Sequence, residues 1–123
     1  MTFLIADDNR RMRDAIKRFL LRALPNHHTF FEASDGSDAV EQYRLHLPDW
    51  VLMDIEMEPM DGFAAMRAIH AAYPDARIII VTSFDDAQYR REASRQGARG
   101  YVMKSNMEEM KTILSPFCES RGA

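Results

Sequence analysis

The sequence predicts an α/β domain built around a parallel five-stranded sheet, and three observations carry that expectation. Five short apolar runs recur along the 123 residues, each is followed by a longer stretch of helix-like character, and no Pro-, Gly- or Ser-rich linker interrupts the alternation. Runs that are apolar on both faces suit strands covered on both sides, as parallel strands are when the crossover helices pack over them. The length matches one domain with one core, assigned to residues 1–119, with 120–123 left as a tail or the start of a linker.

The first run, Thr2 to Ala6, is followed by Met12, Ala15, Ile16, Phe19, Leu20 and Ala23, a single apolar stripe of a helix that Pro25 and Asn26 end. Thr29 to Ala33 reads as the second strand, and Asp35-Gly36-Ser37 opens a helix that runs towards Leu47 and stops at Pro48. Trp50 to Asp54 is the third strand, with Asp61-Gly62 opening a helix that ends near Tyr73-Pro74. Ile78 to Thr82 is the fourth strand. The helix after it, about Asp85 to Gln96, is weakly patterned: Tyr89 and Ala93 are its main apolar residues and Arg90, Arg91 and Arg95 surround them, so its packing is expected to be the loosest. Arg99 to Met103 completes the strands, and Met107, Met110, Leu114 and Phe117 form a narrow stripe that Pro116 should disturb near its end.

Right-handed crossovers then give a (βα)5 sandwich around a central sheet, and the flavodoxin-like order 2-1-3-4-5 is the commonest arrangement for such an open sheet. Apolar residues at 46% and charged residues at 28% fit a folded soluble protein, with the cytoplasm as the expected location. The lone Cys118 excludes an internal disulfide, and His27, His28, His46 and His70 show no zinc spacing. Asp7-Asp8 comes too early for a signal peptide, and no apolar run approaches the roughly 20 residues that span a bilayer. A net charge of −3 gives no global drive towards nucleic acid, so direct nucleic-acid binding by this domain is not expected.

Ligands of such sheets sit beyond the carboxyl ends of the strands, where the winding reverses between the first and third strands. Asp7 and Asp8 follow strand one, Asp54 ends strand three, Thr82-Ser83 ends strand four and Lys104 follows strand five. Three carboxylates, a hydroxyl and an ammonium are thus expected on one edge. Carboxylates held together repel unless a cation sits among them, and hard oxygen donors favour Mg²⁺. A carboxylate at a strand end can attack phosphorus to give an acyl phosphate while metal and ammonium offset charge on the transferring oxygens, which fits Asp54 as nucleophile and Lys104 as counter-charge.

Four segments in this order and spacing resemble the landmarks of response-regulator receiver domains: Asp7-Asp8, the run Asp54-Ile55-Glu56-Met57-Glu58-Pro59-Met60-Asp61-Gly62, Val81-Thr82-Ser83, and Gly97 to Lys104. The resemblance covers essentially the whole chain and implies a phosphoacceptor switch rather than a metabolic enzyme, with at most weak self-phosphorylation and self-dephosphorylation. It implies Asp54 as phosphoacceptor, Asp8 and Asp54 as direct Mg²⁺ ligands, Asp7 acting through water, and the backbone carbonyl of Glu56 as a further ligand. Thr82 would bond the phosphoryl group, and Tyr101 would turn inward to alter the face made by helix four, strand five and helix five. The implied donor is a sensor histidine kinase or phosphotransfer protein. The wording Val81 to Asp86 and Gly100 to Ser105 resembles receivers that precede helix-turn-helix DNA-binding domains, so an output domain or partner protein and a phosphorylation-dependent homodimer belong to the same expectation.

Two departures stand out. The family usually places Pro four residues after the acceptor, whereas Glu58 holds that position and Pro59 follows; and Ser105 stands where Pro commonly follows the lysine in a cis bond, so a trans peptide is expected after Lys104.

Singly, each signal has a plainer reading. Asp7-Asp8 suits a helix N-cap, Thr82 a strand-end hydroxyl, Lys104 a snorkelling side chain, Tyr101 core packing, and the nine Met residues adaptable core filler. Only the joint arrangement favours phosphoryl chemistry. A scaffold with the same fold would not need the full acidic, hydroxyl and lysine set, a flavodoxin-type carrier would have its phosphate repelled by Asp7-Asp8, and a metal-dependent phosphohydrolase would usually place a second Asp where Glu56 stands. Helix one carries Arg10, Arg11, Arg13, Lys17, Arg18 and Arg22 against only Asp14, which reads first as a solvated face and secondly as a docking surface for the kinase.

Overall fold

The computed structural model describes residues 1–119; the expected tail at 120–123 lies outside the described residues. Ten elements alternate: β1 (Thr2–Ala6), α1 (Arg10–Ala23), β2 (Thr29–Ala33), α2 (Gly36–His46), β3 (Trp50–Met53), α3 (Gly62–Ala72), β4 (Ile78–Thr82), α4 (Ala87–Arg95), β5 (Gly100–Met103) and α5 (Glu108–Glu119). All strand pairs are parallel and the order is β2-β1-β3-β4-β5, as expected.

Because successive strand residues point to opposite faces, the central strands split into two cores. Leu4, Val51, Met53, Ile78 and Ile80 pack with Tyr43 of α2, Met66 and Ile69 of α3 and Ala93 of α4. Phe3, Ile5, Leu52, Ile79 and Val81 pack on the other face with Ile16, Phe19 and Leu20 of α1 and Met110 and Leu114 of α5. Four helices begin at carboxylate or amide caps: Asn9, Asp35, Asp61 and Asp86 each accept a backbone N–H from their own first turn.

Boundaries differ from the expectation in four places. β3 ends at Met53, so Asp54 stands just beyond the strand, although its N–H still bonds the Ala6 carbonyl at 2.9 Å. β5 starts at Gly100 rather than Arg99. α4 is shorter because Asp86 caps it, and Ala93 is its one fully buried residue. α5 runs through Pro116 to Glu119; the carbonyl that loses its partner belongs to Thr112, an exposed residue whose backbone water can satisfy. The loop after β3 passes through a cis Glu58–Pro59 peptide, the one cis bond among the described residues, so the peptide after Lys104 is trans.

Candidate functional site

β1 and β3 are neighbours, and their ends deliver Asp7, Asp8 and Asp54 to one place: a carboxylate oxygen from each lies within 4.8 Å of the other two. Asp7 and Asp54 are 1% and 5% exposed, while Asp8 faces solvent. Asp7 Oδ1 accepts the Asn9 N–H at 2.8 Å, and Asp54 Oδ1 accepts the Ile55 N–H at 2.9 Å. Those bonds aim the second oxygen of each carboxylate at Lys104, whose Nζ lies 2.9 Å from Asp7 Oδ2 and 3.5 Å from Asp54 Oδ2. Lys104 is carried there by the end of β5, its backbone N–H donating to the Thr82 carbonyl at 2.8 Å.

Burial is the main force that pushes the Asp54 carboxyl up from 3.8 to about 6, and the charge of Asp7 adds to it, against the pull of Lys104. Lys104 is held above its usual value: burial opposes its charge, and the two carboxylates outweigh that. One ammonium thus serves two buried carboxylates beside a third. Asp7 Oδ2 makes no hydrogen bond of good geometry and depends on the Lys104 charge alone. An under-satisfied buried oxygen, three hard donors within reach of one centre and an open cavity of about 680 Å³ lined by polar residues fit a hard divalent cation such as Mg²⁺. Glu56, the other residue expected to contribute, lines the same cavity.

Neither Thr82 nor Tyr101 lines the cavity. Thr82 is fully buried beneath the cavity wall formed by Ser83 and Phe84, and its Oγ1 accepts the Phe84 N–H at 3.1 Å. Tyr101 is half-buried, and its hydroxyl donates to the Phe84 carbonyl at 2.6 Å. The expected convergence therefore holds for the carboxylates and the ammonium, whereas the hydroxyl is engaged with the backbone of its own loop.

Two glycines that read only as helix openings prove to make room for backbone, Gly62 at Asp54 and Gly36 at Met60 in the loop that follows it. Gly62 donates to the Ile55 carbonyl at 2.8 Å, and a Cβ there would sit 2.0 Å from the Asp54 carbonyl oxygen. Gly36 donates to the Met60 carbonyl at 2.8 Å, and a Cβ there would meet that oxygen at 2.1 Å. The sequence signal was an Asp-Gly pair at each site, which marks a cap but not what the missing side chain makes room for.

A parallel sheet with an acidic nest and a lysine at its carboxyl edge defines a class, and comparison with known proteins agrees. Residues 3–115 match the response regulator receiver domain, and the chain belongs to that family, the phosphoacceptor switches of two-component signalling. It is 34% identical over 101 residues to the transcriptional regulatory protein DegU of Brevibacillus brevis, covering 82% of this chain and 42% of that protein. It is 32% identical over 110 residues to the oxygen regulatory protein NreC of Staphylococcus epidermidis, covering 89% and 50%. The chain thus spans about half the length of these relatives. A DNA-binding response regulator of the LuxR family from Staphylococcus aureus superposes with a TM-score of 0.82 at 25% identity, over 92% of this chain and 94% of that one. The fold is also that of Borrelia burgdorferi CheY, solved with CheX, BeF3 and Mg²⁺, at a TM-score of 0.83 and 23% identity, over 95% and 89% of the two chains. No helix among the described residues is long and apolar enough to cross a membrane.

Proposed function

We propose that residues 1–119 form one receiver domain in which Asp54 accepts a phosphoryl group from a sensor histidine kinase or phosphotransfer protein and passes the event on as a change of shape. The observation that carries this is the three-carboxylate cluster facing a single ammonium. At neutral pH Asp54, with its pKa near 6, is mostly ionised. One of its carboxylate oxygens attacks phosphorus as the bond to the donor nitrogen breaks, leaving an acyl phosphate on Asp54. Asp8 and Asp54 would hold Mg²⁺ directly, with Asp7 acting through water and Glu56 through its backbone carbonyl. When bound, such an ion would supply positive charge, letting the carboxylates and the incoming phosphoryl oxygens share the site. Lys104 would add its charge from its place against Asp7 and Asp54, and Thr82 would donate its hydroxyl hydrogen to a phosphoryl oxygen, its acceptor face already occupied by the Phe84 N–H. Self-phosphorylation from small donors and slow self-dephosphorylation follow from the same groups.

The readout is the α4-β5-α5 surface, with Tyr101 as its moving part. An output domain or partner protein, including a helix-turn-helix domain like those of DNA-binding relatives, would read it, as would a phosphorylation-dependent homodimer; a cytoplasmic setting fits such a donor. For the donor's docking surface α1 has a specific observation behind it. Arg13 and Lys17 are tied to Glu32 at 2.8 and 2.7 Å, whereas Arg10, Arg11, Arg18 and Arg22 are exposed. Reversing the charge at Arg11 and Arg18 should slow transfer from the cognate kinase without altering phosphorylation by a small donor.

Intact-mass analysis after treatment with a small phosphodonor and Mg²⁺ tests the central assignment. Wild type should gain one phosphoryl group and Asp54→Asn none; an equal gain in both would place the chemistry elsewhere.

A further inference from the structure

Outside the carboxylate cluster, the contacts around Tyr101 close into a ring. The Phe84 residue is gripped at both ends, its N–H by Thr82 Oγ1 at 3.1 Å and its carbonyl by the Tyr101 hydroxyl at 2.6 Å. The face of the Tyr101 ring is covered by Arg90, whose guanidinium carbon lies 4.6 Å from the ring centroid. Arg90 Nε donates to Asp85 Oδ1 at 3.1 Å, and Asp85 follows Phe84 in the chain, so the last link is covalent.

The backbone of Arg90 is fixed independently. Asp86 caps α4 by accepting the Gln88 and Tyr89 N–H groups, and the Arg90 N–H donates to the Asp86 carbonyl at 2.9 Å. Tyr101 stands on β5, so the Arg90 side chain spans from the first turn of α4 to the neighbouring strand, across the loop whose Ser83 and Phe84 line the site cavity.

We propose that Arg90, aimed by Asp85, is a positioning residue that holds the Tyr101 hydroxyl on Phe84 and thereby keeps the β4–α4 loop in the shape from which Thr82 serves the acceptor site. The inference rests on the receiver reading given above. A planar guanidinium suits the ring face better than a lysine ammonium does. The Asp85–Arg90 pair is 74% and 43% exposed, so it orients the guanidinium more than it stabilises the fold. A loop already ordered loses less freedom when a phosphoryl group or its mimic is bound, so releasing Arg90 weakens that binding. By linkage, a group on Asp54 that favours this loop shape must in turn favour Arg90 on Tyr101.

Two measurements on the full chain test it. By NMR, the Arg90 δ-methylene and Nε–H signals should be shifted upfield by the ring current, keep that shift in Tyr101→Phe and lose it in Tyr101→Leu. In a beryllofluoride titration with Mg²⁺, Arg90→Ala should raise the half-saturating concentration about two- to fivefold, the range of an exposed cation–π contact. Asp85→Ala should have a smaller effect in the same direction, Arg90→Lys should fall between Arg90→Ala and wild type, and Arg90→Ala should have no further effect in Tyr101→Leu. A wild type blind to beryllofluoride would overturn the receiver reading while the Arg90 shifts could still stand. Unshifted Arg90 signals, or an Arg90→Ala titration that overlays that of a responsive wild type, would overturn the positioning role.

Discussion

Around Asp54 the backbone is packed to contact: the Asp54 and Met60 carbonyls press on Gly62 and Gly36, and Asp7 and Asp54 are buried, each with one oxygen held by a backbone N–H. Across the cavity, α4 sinks only Ala93 fully, and its Arg90, Arg91 and Arg95 remain in solvent. The contrast separates two physical tasks. Like charges can be kept together only by a frame that cannot relax, whereas a surface that reports their state must be able to move at a cost of a few kcal/mol. On the proposed reading, the fixed half would do the chemistry and the loosely seated half would carry the signal.

The largest way to break this contrast is to loosen the fixed half. Gly62→Ala forces backbone against backbone at Asp54, since neither atom belongs to a flexible side chain. A loss of more than about 3 kcal/mol in urea unfolding is expected, with no beryllofluoride response in whatever remains folded. Stability within about 0.5 kcal/mol of wild type would show that the frame gives way after all.

Next in size is the strain of holding Asp54 charged. Its folded pKa of about 6 lies above the unfolded 3.8, so the folded state binds the proton more tightly. This group therefore adds stability below pH 3.8 that is lost as pH rises through about 6. Asp54→Asn removes the term, and the mutant should exceed wild type by up to about 3 kcal/mol at pH 8, an advantage that shrinks towards pH 5. Urea midpoints at four pH values suffice, and a pH-independent difference would contradict the burial argument.

A smaller effect belongs to the tie between α1 and the sheet edge. The Glu32 carboxyl is held below its usual 4.5, first by its bond from Lys17, with Arg13 also donating to it. A lowered carboxyl contributes stability above about pH 4.5 and loses it as pH falls through the folded value. Glu32→Gln should cost about 0.5–1 kcal/mol at pH 7, since the pair is partly exposed, and nothing in strong acid. A larger loss would mean that α1 helps to fix the acidic nest, through the Arg13 bond to the Asp7 carbonyl at 2.6 Å.

Which parts could be read from sequence follows the same division. The strands and helices were legible because short, near-continuous apolar runs such as Ile78–Thr82 differ from the 3.6-residue stripe of Met12–Ala23, and Asp7, Asp8, Asp54 and Lys104 were legible because strand ends are fixed by those runs. What depends on atoms meeting across the fold was not. Nothing local tells that Gly62 makes room for the Asp54 carbonyl, that the Thr82 hydroxyl oxygen accepts the Phe84 N–H, or that Arg90 of a weakly patterned helix lies on Tyr101. Pro116 departs from the expectation: α5 runs on through it to Glu119, leaving the Thr112 carbonyl without its helical partner.

The smallest expected effect is the sharpest test of the loosely seated half. Arg95 pairs with Glu92 one turn back on the exposed side of α4, a geometry worth a few tenths of a kcal/mol in water. Arg95→Ala should therefore change stability by less than about 0.5 kcal/mol. Hydrogen exchange should nonetheless show α4 amides opening before those of α3, whose Ala65, Met66 and Ile69 are buried where α4 has Ala93 alone. If α4 exchanges only with global unfolding, or if Arg95→Ala costs several times the expected amount, then α4 is locked to the sheet by more than Ala93 and the Arg90 contact, and the signal must leave the domain by another face.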